Sequence, residues 1–432
     1  MKEFGVGLLG FGTVGAGVIE GLQKNGELMA RRLGVRPVLR KVADIDLERD
    51  RGVKVDRALL TQDAEAAIKD PDVDIVVELI GGTTIARKFM LQALKLGKPV
   101  VTANKALLAE YGEEIHRTAK EHGAEVYYEA SVGGGIPIVK ALREGLCANH
   151  IESMYGILNG TCNYILTRME REHLPFDEVL REAQKAGYAE AEPSLDIDGI
   201  DTAHKAVVLA SLAYGFTIPM SAVHIEGIRG LSAADIAYAG ELGYRIKLLA
   251  IVKQSSGQVE VRIHPTLVPL SHMLASVSGV FNAVMVKGDV VGDTLYYGRG
   301  AGRAATSSAV LSDIADVALN LAAGSKQRLP SFVGNGVQGL IRPIDEIGAR
   351  YYLRLSLLDK PGILAKVAHI LGDHQISIAS VMQKEARLGE YVPVIIVTHG
   401  SNEGNFRGAL KEIDAMDVVG AETVRLRIED FT

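Results

Sequence analysis

The stretch 187–205 places several carboxylates ahead of a single lysine, and it is the strongest chemical signal in the sequence. Five acids precede Lys205 within 16 residues, and the last of them, Asp201, begins an apolar helix. Residues four positions apart share one face of a helix, so Asp201 and Lys205 are predicted to lie together. Apolar residues alternate with the acids and indicate partial burial, where carboxylates need partners. Acids around one lysine can bind an amino group and move a proton, although a solvated acidic face is the alternative interpretation.

A second lysine stands at an unusual place. Asn104 is predicted to cap a helix over 107–122, which puts Lys105 in its first turn. A cation there opposes the helix dipole, and the dipole together with partial burial lowers a lysine pKa. Such a local misfit is typical of functional positions, and a surface lysine that reaches into solvent is the alternative.

A dinucleotide-binding pattern follows the first predicted strand. The strand 4–9 runs into Gly10, Gly12 and Gly15, and a helix over 14–25 comes next. The first glycine permits a tight turn, the second lets the backbone approach a pyrophosphate, and the third lets the helix pack on the strand. The alternative is a glycine-rich turn without a ligand. The residues assigned to the cofactor here are Gly10, Phe11, Gly12, Thr13, Val14 and Gly15.

The second predicted strand, 37–44, ends in an acid. Asp44 at that tip can accept hydrogen bonds from an adenosine ribose, which favours NAD. Arg40 and Lys41 are close enough in sequence to keep NADP open. A solvated turn acid is the alternative interpretation of Asp44.

A glycine turn follows Glu129 and extends to Ile136. Its carbonyl oxygens are the ligands that a hard cation prefers. The alternative is a loop that approaches the nicotinamide without any metal.

Strands and helices alternate through the first 130 residues with short turns, which predicts a parallel, doubly wound sheet. Ligands in such sheets lie at the carboxyl ends of the strands. The loops predicted there are 10–15, 81–84, 102–105 and 129–135, and the cofactor candidates among them include Gly81, Gly82 and Thr83. Farther along, Gly300 and Gly302 precede a helix over 306–321 and either contact the cofactor from the far side or form a domain-connecting turn.

The C-terminal part reads as a separate unit. A Pro- and Gly-containing stretch over 327–345 looks like a linker, and residues 351–432 then follow the order βαββαβ of a ferredoxin-like unit. The unit has no catalytic constellation, so a regulatory or oligomerising role is favoured.

Composition excludes several classes of protein. The chain has 432 residues, 47% of them hydrophobic and 23% charged, a net charge of −6 and two cysteines. These values exclude a disordered polymer, a coiled coil and a disulfide scaffold. The sequence also has no apolar run of membrane-spanning length and no long basic tract, so neither a membrane nor a nucleic acid is expected as partner. The cytosol is the default location.

Together with the stretch Gly-Ile-Leu-Asn-Gly-Thr at 156–161, the residues described above resemble the homoserine dehydrogenase family. The resemblance rests on 103–105, 129–133, 156–161 and 187–205 in the expected order and covers roughly residues 1–330. The tail resembles an ACT domain through its 359–362 turn, and in this family such a tail is associated with amino-acid feedback.

The resemblance implies a reaction and a role for each residue. The reaction is reversible hydride transfer between L-homoserine with NAD(P)+ and L-aspartate 4-semialdehyde with NAD(P)H. Lys205 is the implied proton donor and acceptor, Lys105 lies beside it and the nicotinamide, and Asp201 orients Lys205. The implied substrate-binding residues are Glu190, Asp196, Thr161 and Gly160.

The resemblance also implies a cation site, an effector site and an assembly. The sodium-like site maps onto Glu129 and the backbones of Val132, Gly134 and Ile136. The effector, L-threonine in the first instance, is expected at Asp359, Gly362, Ile376 and Ser377. The chain is expected to form a homodimer or a homotetramer.

The predicted architecture is a Rossmann-type doubly wound sheet, an α+β substrate and dimerisation domain, and a C-terminal ferredoxin-like (ACT) domain. The predicted boundaries are 1–130 (completed by about 305–330), 131–304, a linker at 331–350, and 351–432.

Two other functions compete with this one. Aspartate-semialdehyde dehydrogenase has a similar plan but needs a thiol nucleophile with a nearby base, and no histidine is placed beside Cys162 in the sequence. A non-catalytic NAD-dependent amino-acid sensor explains both ends of the chain but leaves the acid–lysine cluster without a role.

Overall fold

A computed structural model of the chain describes residues 1–325, 329, 330, 332–334, 339–383 and 390–431. The strands are β1 Lys2–Leu9, β2 Val35–Ala43, β3 Leu60–Thr61, β4 Ile75–Glu78, β5 Val100–Thr102, β6 Val126–Tyr127, β7 Ile151–Ile157, β8 His224–Ile225, β9 Tyr244–Ser255, β10 Gln258–Pro269, β11 Phe281–Gly288, β12 Gly292–Arg299, β13 Leu340–Ile341, β14 Gly348–Leu358, β15 Ile378–Gln383, β16 Tyr391–Thr398, β17 Ser401–Asn402 and β18 Val419–Ile428. The α-helices are α1 Thr13–Leu33, α2 Ala64–Lys69, α3 Thr84–Lys95, α4 Lys105–His122, α5 Ile138–Lys140, α6 Gly160–Glu172, α7 Phe176–Lys185, α8 Ser194–Ile197, α9 Ile200–Tyr214, α10 Ala233–Glu241, α11 Arg303–Ala322, α12 Ile363–Asp373 and α13 Glu403–Asp414.

The chain forms two compact units, and each unit is assembled from separate segments of the chain. The first unit comprises Met1–Gly160, Asp201–Ser221 and Val280–Gly339, and the second comprises Thr161–Ile200, Ala222–Gly279 and Leu340–Thr432. The boundaries expected at 130, 304 and 350 divide the chain differently and stay a prediction. The expected linker at 331–350 lies partly outside the described residues.

The first unit contains a six-stranded parallel sheet with the order β3-β2-β1-β4-β5-β6. This 3-2-1-4-5-6 order is that of dinucleotide-binding sheets, in which the order of successive strands reverses between β1 and β4 while all strands stay parallel. The predicted doubly wound fold is therefore confirmed. Strands β1 and β4 are buried almost throughout, as a parallel sheet covered on both faces requires.

Helix α1 is longer than predicted. The sequence suggested an end near Asn25, before Gly26, but the helix continues to Leu33 and stops at Gly34, which has φ 73°. One face of α1 packs against α11, where Gly17 and Gly21 let Ser307 and Leu311 approach closely. Packing of this kind outweighs the roughly 1 kcal/mol cost of a glycine inside a helix.

The first unit also contains an antiparallel set of strands in which β11 pairs with both β7 and β12. Strand β6 is shorter than the predicted 125–129, because Glu129 begins a 3₁₀ turn. That turn places the backbone of Glu129 against α11.

The second unit is built around a long hairpin that the sequence did not predict. Strands β9 and β10 pair in antiparallel fashion over their full lengths and are joined by Ser256 and Gly257. Both residues have positive φ, at 52° and 77°, which matches the two-residue turns that suit a twisted hairpin. Strand β10 also pairs in parallel with β8, β13 and β18.

The C-terminal part of the second unit has the predicted order βαββαβ. Strand β14 pairs with β16 and β18, and β16 pairs with β15, all antiparallel. Apolar side chains of these strands pack against α12 and α13 around the fully buried Tyr351 and Phe406. The predicted helix at 363–373 and strand at 391–398 agree with the structure, whereas Lys384, the predicted end of the strand between them, lies outside the described residues.

No helix in the described part of the chain is long and apolar enough to cross a membrane.

Candidate active site

Two lysines converge on one carboxylate in the first unit. Asp201 and Lys205 lie one turn apart on α9, and the Lys205 Nζ donates to Asp201 Oδ2 at 2.6 Å and to the Leu158 carbonyl oxygen at 2.7 Å. Lys105 Nζ lies 3.0 Å from the other carboxylate oxygen. Asn159, at the end of β7, donates from its side-chain amide to Asp201 Oδ2 at 2.9 Å. The structure therefore brings together the three residues predicted to do the chemistry.

Charge is distributed unevenly in this cluster. The side chains of Asp201 and Lys205 are each 10% exposed, whereas Lys105 is 39% exposed. Burial by itself would raise the pKa of Asp201, but the two neighbouring lysines hold it well below its usual value. Asp201 is therefore an anion throughout the neutral range, and it can orient both ammonium groups without taking up a proton.

Helix α4 positions Lys105. Asn104 caps the helix as predicted, because its side-chain oxygen accepts from the Leu107 N–H at 3.1 Å. The same side chain donates to the Gly82 carbonyl oxygen at 2.8 Å. The cap thus ties the start of α4 to the glycine turn that follows β4.

Glu78 links the ends of β4 and β5, and no motif in the sequence indicated this role. It is buried at the end of β4 and accepts hydrogen bonds from Thr102 Oγ1 at 2.7 Å and from the Ile80 N–H at 2.8 Å. Burial raises its pKa. An acid that ends an otherwise apolar strand was the available signal for this role.

A cavity of about 1090 Å³ opens at the carboxyl edge of the parallel sheet, lined by the glycine turn, the tip of β2, the start of α2 and the end of β4. Gly10 has φ 98°, and a Cβ there would lie 2.5 Å from the Leu79 carbonyl. A Cβ on Gly15 would lie 2.2 Å from the Gly10 oxygen, so the third glycine does allow the helix to pack on the turn. Gly12 caps α1 and has open space beside it, which fits a cofactor phosphate at the helix N-terminus.

Asp44 lines this cavity, but it is not alone there. Its carboxylate accepts from the Phe11 N–H at 2.6 Å and lies 3.4 Å from Arg51 Nη2. The Arg51 guanidinium in turn lies 4.7 Å from the centre of the Phe11 ring. The cation beside Asp44, the acid expected to bind the ribose, is therefore Arg51, and no motif in the sequence indicated it.

The two basic residues considered for NADP are paired elsewhere. Arg40 binds Glu3 at 2.8 Å, and Lys41 lies 3.6 Å from Asp70. Neither residue lines the cavity. Successive side chains of a strand point to opposite faces of the sheet, whereas the cavity lies at the tip of the strand, beside Asp44.

The Glu129 carboxylate faces the start of α5. Its two oxygens accept from the backbone N–H groups of Val139 at 2.9 Å and Lys140 at 2.7 Å, and burial raises its pKa. Gly133 and Gly134 have positive φ and turn the chain there. The cation site expected at Glu129 and at the backbones of Val132, Gly134 and Ile136 stays a prediction.

The glycine turn before α11 packs against the same loop. A Cβ on Gly134 would lie 2.5 Å from the Gly300 carbonyl carbon, and one on Gly300 would lie 2.0 Å from the Asn282 side chain. Gly302, with φ 108°, is the N-cap of α11. These approaches explain the glycines structurally, while their contact with cofactor stays a prediction.

The residues expected to bind substrate lie in the second unit, apart from Gly160. Thr161 donates its hydroxyl to the Tyr188 carbonyl oxygen at 2.7 Å, and the buried Cys162 thiol lies 3.2 Å from the Asp196 carbonyl oxygen. Glu190 is exposed, and Asp196 lies on α8. Thr161 and Cys162 of α6 thus contact the backbone of the segment 188–196, which carries both acids.

The residues expected to bind an effector lie near the start of the C-terminal part of the second unit. Gly362, with φ 87°, is the N-cap of α12, and Asp359 precedes it. The Ser377 carbonyl oxygen accepts from the His399 N–H at 2.8 Å. The Ile376 side chain packs in the core, so only its backbone can face a ligand.

Comparison with known proteins identifies the family. Residues 137–315 match the family described as homoserine dehydrogenase, residues 10–129 match homoserine dehydrogenase, NAD binding domain, and residues 351–415 match ACT domain. The homoserine dehydrogenase of Neisseria gonorrhoeae is 45% identical over 434 residues, covering 100% of both chains. The chain belongs to the homoserine dehydrogenase family.

Further relatives and solved structures agree. The homoserine dehydrogenase of Bacillus subtilis is 39% identical and covers 99% of both chains. A crystal structure of a homoserine dehydrogenase from Thiobacillus denitrificans superposes with a TM-score of 0.94, at 45% identity over 100% of this chain and 99% of the other. A hyperthermophilic archaeal homoserine dehydrogenase mutant in complex with NADPH has a TM-score of 0.62 at 27% identity and covers 72% of this chain and 96% of the other.

These findings establish the activity as NAD(P)-dependent oxidoreduction of homoserine, with a nucleotide cofactor and an appended ACT domain. The predicted family and fold are confirmed. The sensor without catalysis and the semialdehyde dehydrogenase are thereby set aside.

Proposed function

We propose that Lys205 is the group that takes the hydroxyl proton of L-homoserine during oxidation and returns it during reduction. The observation that carries this proposal is the pair of hydrogen bonds from Lys205 Nζ to the Leu158 carbonyl and to Asp201. Lys205 keeps both hydrogen bonds with or without its third N–H proton, and the neutral amine that acts as the base has two N–H donors and one lone pair. With both donors committed, the lone pair occupies the remaining tetrahedral position and can accept the substrate proton.

The other members of the cluster act on Lys205 or on the substrate. Asp201 orients Lys205, and Asn159 in turn fixes the Asp201 carboxylate. Lys105 is more exposed and makes an ion pair with the opposite carboxylate oxygen, a position that suits contact with the substrate oxygen and the nicotinamide. When bound, NAD(P)+ supplies the hydride acceptor.

Glu190 and Asp196 hold the homoserine amino group, and Thr161 and Gly160 contact the substrate. The support is chemical, because two carboxylates on one short segment offer opposite charge to an ammonium. Thr161 acts through its backbone, since its hydroxyl is bonded to Tyr188.

For the cofactor, Asp44 favours NAD by accepting the ribose hydroxyls and repelling a 2′-phosphate, and Arg51 limits that preference by offering a cation beside it. The archaeal relative at 27% identity was solved in complex with NADPH, so the phosphorylated cofactor is assayed beside NAD. The test is homoserine oxidation assayed with NAD and NADP side by side in three variants. Asp44→Ser should shift the ratio of kcat/KM toward NADP, and Arg51→Ala should shift it toward NAD, each by about tenfold.

Arg40→Ala is the matched control, because Arg40 is a neighbouring arginine whose guanidinium binds Glu3. An unchanged ratio in the Asp44 and Arg51 variants would show that neither side chain faces the ribose.

A monovalent cation such as sodium binds the backbone carbonyls of the loop that follows Glu129 and has a structural role. Activity and thermal unfolding measured in sodium, potassium and tetramethylammonium salts at equal ionic strength test this site. Identical results in all three salts would contradict it.

The ACT domain binds an amino acid, with L-threonine as the first candidate, where the backbone of Gly362 and the N-terminus of α12 can receive its carboxylate. Threonine titration of the full-length enzyme and of an Asp359→Ala variant tests this. Equal inhibition of both would place threonine elsewhere, and inhibition of neither would leave the domain an assembly element.

The assembly is a homodimer or homotetramer, since sheet edges such as those of ACT modules pair readily. Light scattering at micromolar concentration tests it, and a monomer would refute it. A cytoplasmic location is the corresponding expectation for an enzyme of amino-acid biosynthesis.

A further inference from the structure

Residues 224–229 of the second unit, here called the 224–229 segment, contact the segment that carries Asp196. The Ile228 N–H donates to the Ile197 carbonyl oxygen at 2.8 Å. Gly227 packs so closely that a Cβ would lie 2.2 Å from the same oxygen. The 224–229 segment therefore lies directly against the backbone of α8.

Arg229 completes this contact with its side chain. Its guanidinium binds both carboxylate oxygens of Asp198, with Nη2 3.1 Å from Oδ2, and Nη2 also donates to Ser194 Oγ at 2.9 Å. The Arg229 and Asp198 side chains are 51% and 41% exposed, so the pair contributes little to global stability. A two-pronged contact of this kind fixes geometry, and here it fixes both ends of α8.

Glu226, within the same segment, is held by arginines of the C-terminal domain, which is residues 351–432 of the second unit. The Glu226 carboxylate receives two hydrogen bonds from Arg427, at 2.8 and 3.1 Å, and one from Arg425 at 3.2 Å. Arg427 is 2% exposed and also binds the fully buried Glu403 through Nε at 2.8 Å and Nη2 at 2.6 Å. The Tyr351 hydroxyl donates to Glu403 as well, at 2.6 Å.

The backbone of the segment is equally fixed. Strand β8 pairs with Arg262 and Ile263 of β10, and the Glu226 N–H donates to the Ile263 carbonyl oxygen at 2.7 Å. Glu226 and Arg229 are three positions apart, so a displacement of the Glu226 carboxylate reaches α8 with little slack.

We propose that the 224–229 segment positions α8 for substrate binding, with Arg229 as a positioning residue, and that Arg427 and Glu403 of the C-terminal domain hold this segment through Glu226. This inference rests on the proposed role of Glu190 and Asp196 in binding the substrate amino group. The C-terminal domain thereby contributes to homoserine affinity through side chains that touch neither substrate nor cofactor.

The test uses the full-length enzyme and steady-state kinetics in the oxidation direction. Arg229→Ala should raise the KM for homoserine about tenfold, the effect of losing one charge-assisted contact, with kcat within about twofold and the cofactor KM unchanged. Arg229→Lys keeps the charge but loses the two-pronged geometry, so its KM should lie between those of Arg229→Ala and wild type. Arg407→Ala is the control, since Arg407 is also 51% exposed and pairs with Asp345 in the same unit.

Glu226→Gln tests the connection to the C-terminal domain. It should raise the homoserine KM severalfold, and the double variant Glu226→Gln/Arg229→Ala should be no worse than Arg229→Ala alone, because both changes release the same segment. If Glu226→Gln does not fold, Arg425→Gln removes a half-exposed partner of the same carboxylate and should raise the KM in the same direction.

Three results would overturn the proposal: an unchanged homoserine KM in Arg229→Ala, a loss confined to kcat, or fully additive effects in the double variant. Glu190→Gln and Asp196→Asn, assayed in parallel, separate this failure from that of the proposed function. Unchanged KM values in those two variants would remove the substrate role of the acids, whereas raised values together with an inert Arg229→Ala would refute only the positioning role.

Discussion

Asp201 and Asp313 are two buried carboxylates of the first unit with opposite proton affinities. Asp201 is 8% exposed and Asp313 is 1% exposed. The pKa of Asp201 is held well below its usual value, whereas burial raises the pKa of Asp313 to about 8. Burial alone therefore does not decide which of the two carries charge.

Contact with lysine decides it. Lys205 and Lys105 lie 2.6 and 3.0 Å from the Asp201 oxygens, one on each side. The lysine that lowers the pKa of Asp313 is Lys140, but its Nζ binds Asp316 at 2.7 Å. The Glu129 carboxylate adds repulsion, and Asp313 accepts the Glu129 backbone N–H at 2.8 Å. Asp201 is thus an anion across the neutral range that is paired with two lysines, whereas Asp313 binds a proton near neutral pH.

The largest effect is expected from Lys205 and Lys105, the two lysines that contact Asp201. Lys205→Ala should lower kcat by about 10²–10⁴-fold, the usual contribution of a general acid–base group, and Lys105→Ala should also lower it strongly. Lys120→Ala, at the far end of the helix that carries Lys105, is the control and should leave kcat unchanged. If both lysine variants kept more than about a tenth of wild-type kcat, the acid–base assignment would be wrong.

Asp201→Asn removes the anion between the two lysines with little change of shape. We expect kcat to fall about 10²-fold because Lys205 loses its orientation. We also expect the free energy of unfolding to fall by roughly 3 kcal/mol, because Lys205 is left buried without a counter-charge. Kinetics together with urea unfolding measure both effects. A variant as active and as stable as wild type would show that Asn159 and Leu158 suffice to hold Lys205.

Asp313→Asn, unlike Asp201→Asn, should change how stability depends on pH and should leave activity nearly unchanged. The pKa of Asp313 is raised in the folded protein, so its stabilising contribution is complete below the pKa near 4 of the unfolded chain and is lost as pH rises toward 8. Asparagine cannot ionise, so wild type should lose roughly 2–4 kcal/mol relative to the variant between pH 5 and pH 8. Urea unfolding at four pH values measures this difference, and parallel curves would contradict the raised pKa. Activity at pH 7 should stay within a few fold of wild type.

Local patterns predicted the elements of the fold with some accuracy. The glycine turn after β1, the Asn104 cap and the helix at 363–373 each depend on residues close together in sequence, and each has the expected geometry. The hairpin of β9 and β10 was missed, because its strands are buried along almost their whole length and show no alternation.

The candidate site was predicted where spacing along one helix suffices, as for Asp201 and Lys205. It was not predicted where partners come from distant parts of the chain. Asn159 meets Asp201, and Glu129 meets Asp313 across 184 positions, only because the topology brings those strands and helices together. Arg51 lies only seven positions from Asp44, but the loop that carries it has no motif of its own. Such contacts are properties of the fold and leave no periodic signal in the sequence.

The smallest effect is expected from substitution of Lys140. It tests whether a lysine must contact a buried carboxylate to set its charge or need only lie nearby. Lys140→Met removes a partly exposed pair with Asp316, which should cost about 0.5–1 kcal/mol of unfolding free energy at pH 7. Lys140 lowers the pKa of Asp313 but only partly offsets the effect of burial. Its loss should therefore raise that pKa further. The unfolding free energy should still fall with pH below the new pKa, and the fall should extend to higher pH. Urea unfolding of Lys140→Met and of Lys140→Met/Asp313→Asn over the same pH values measures the shift. If Lys140→Met alone abolished the pH dependence, proximity without contact would be enough to set the charge of Asp313, and the contrast with Asp201 would need another cause.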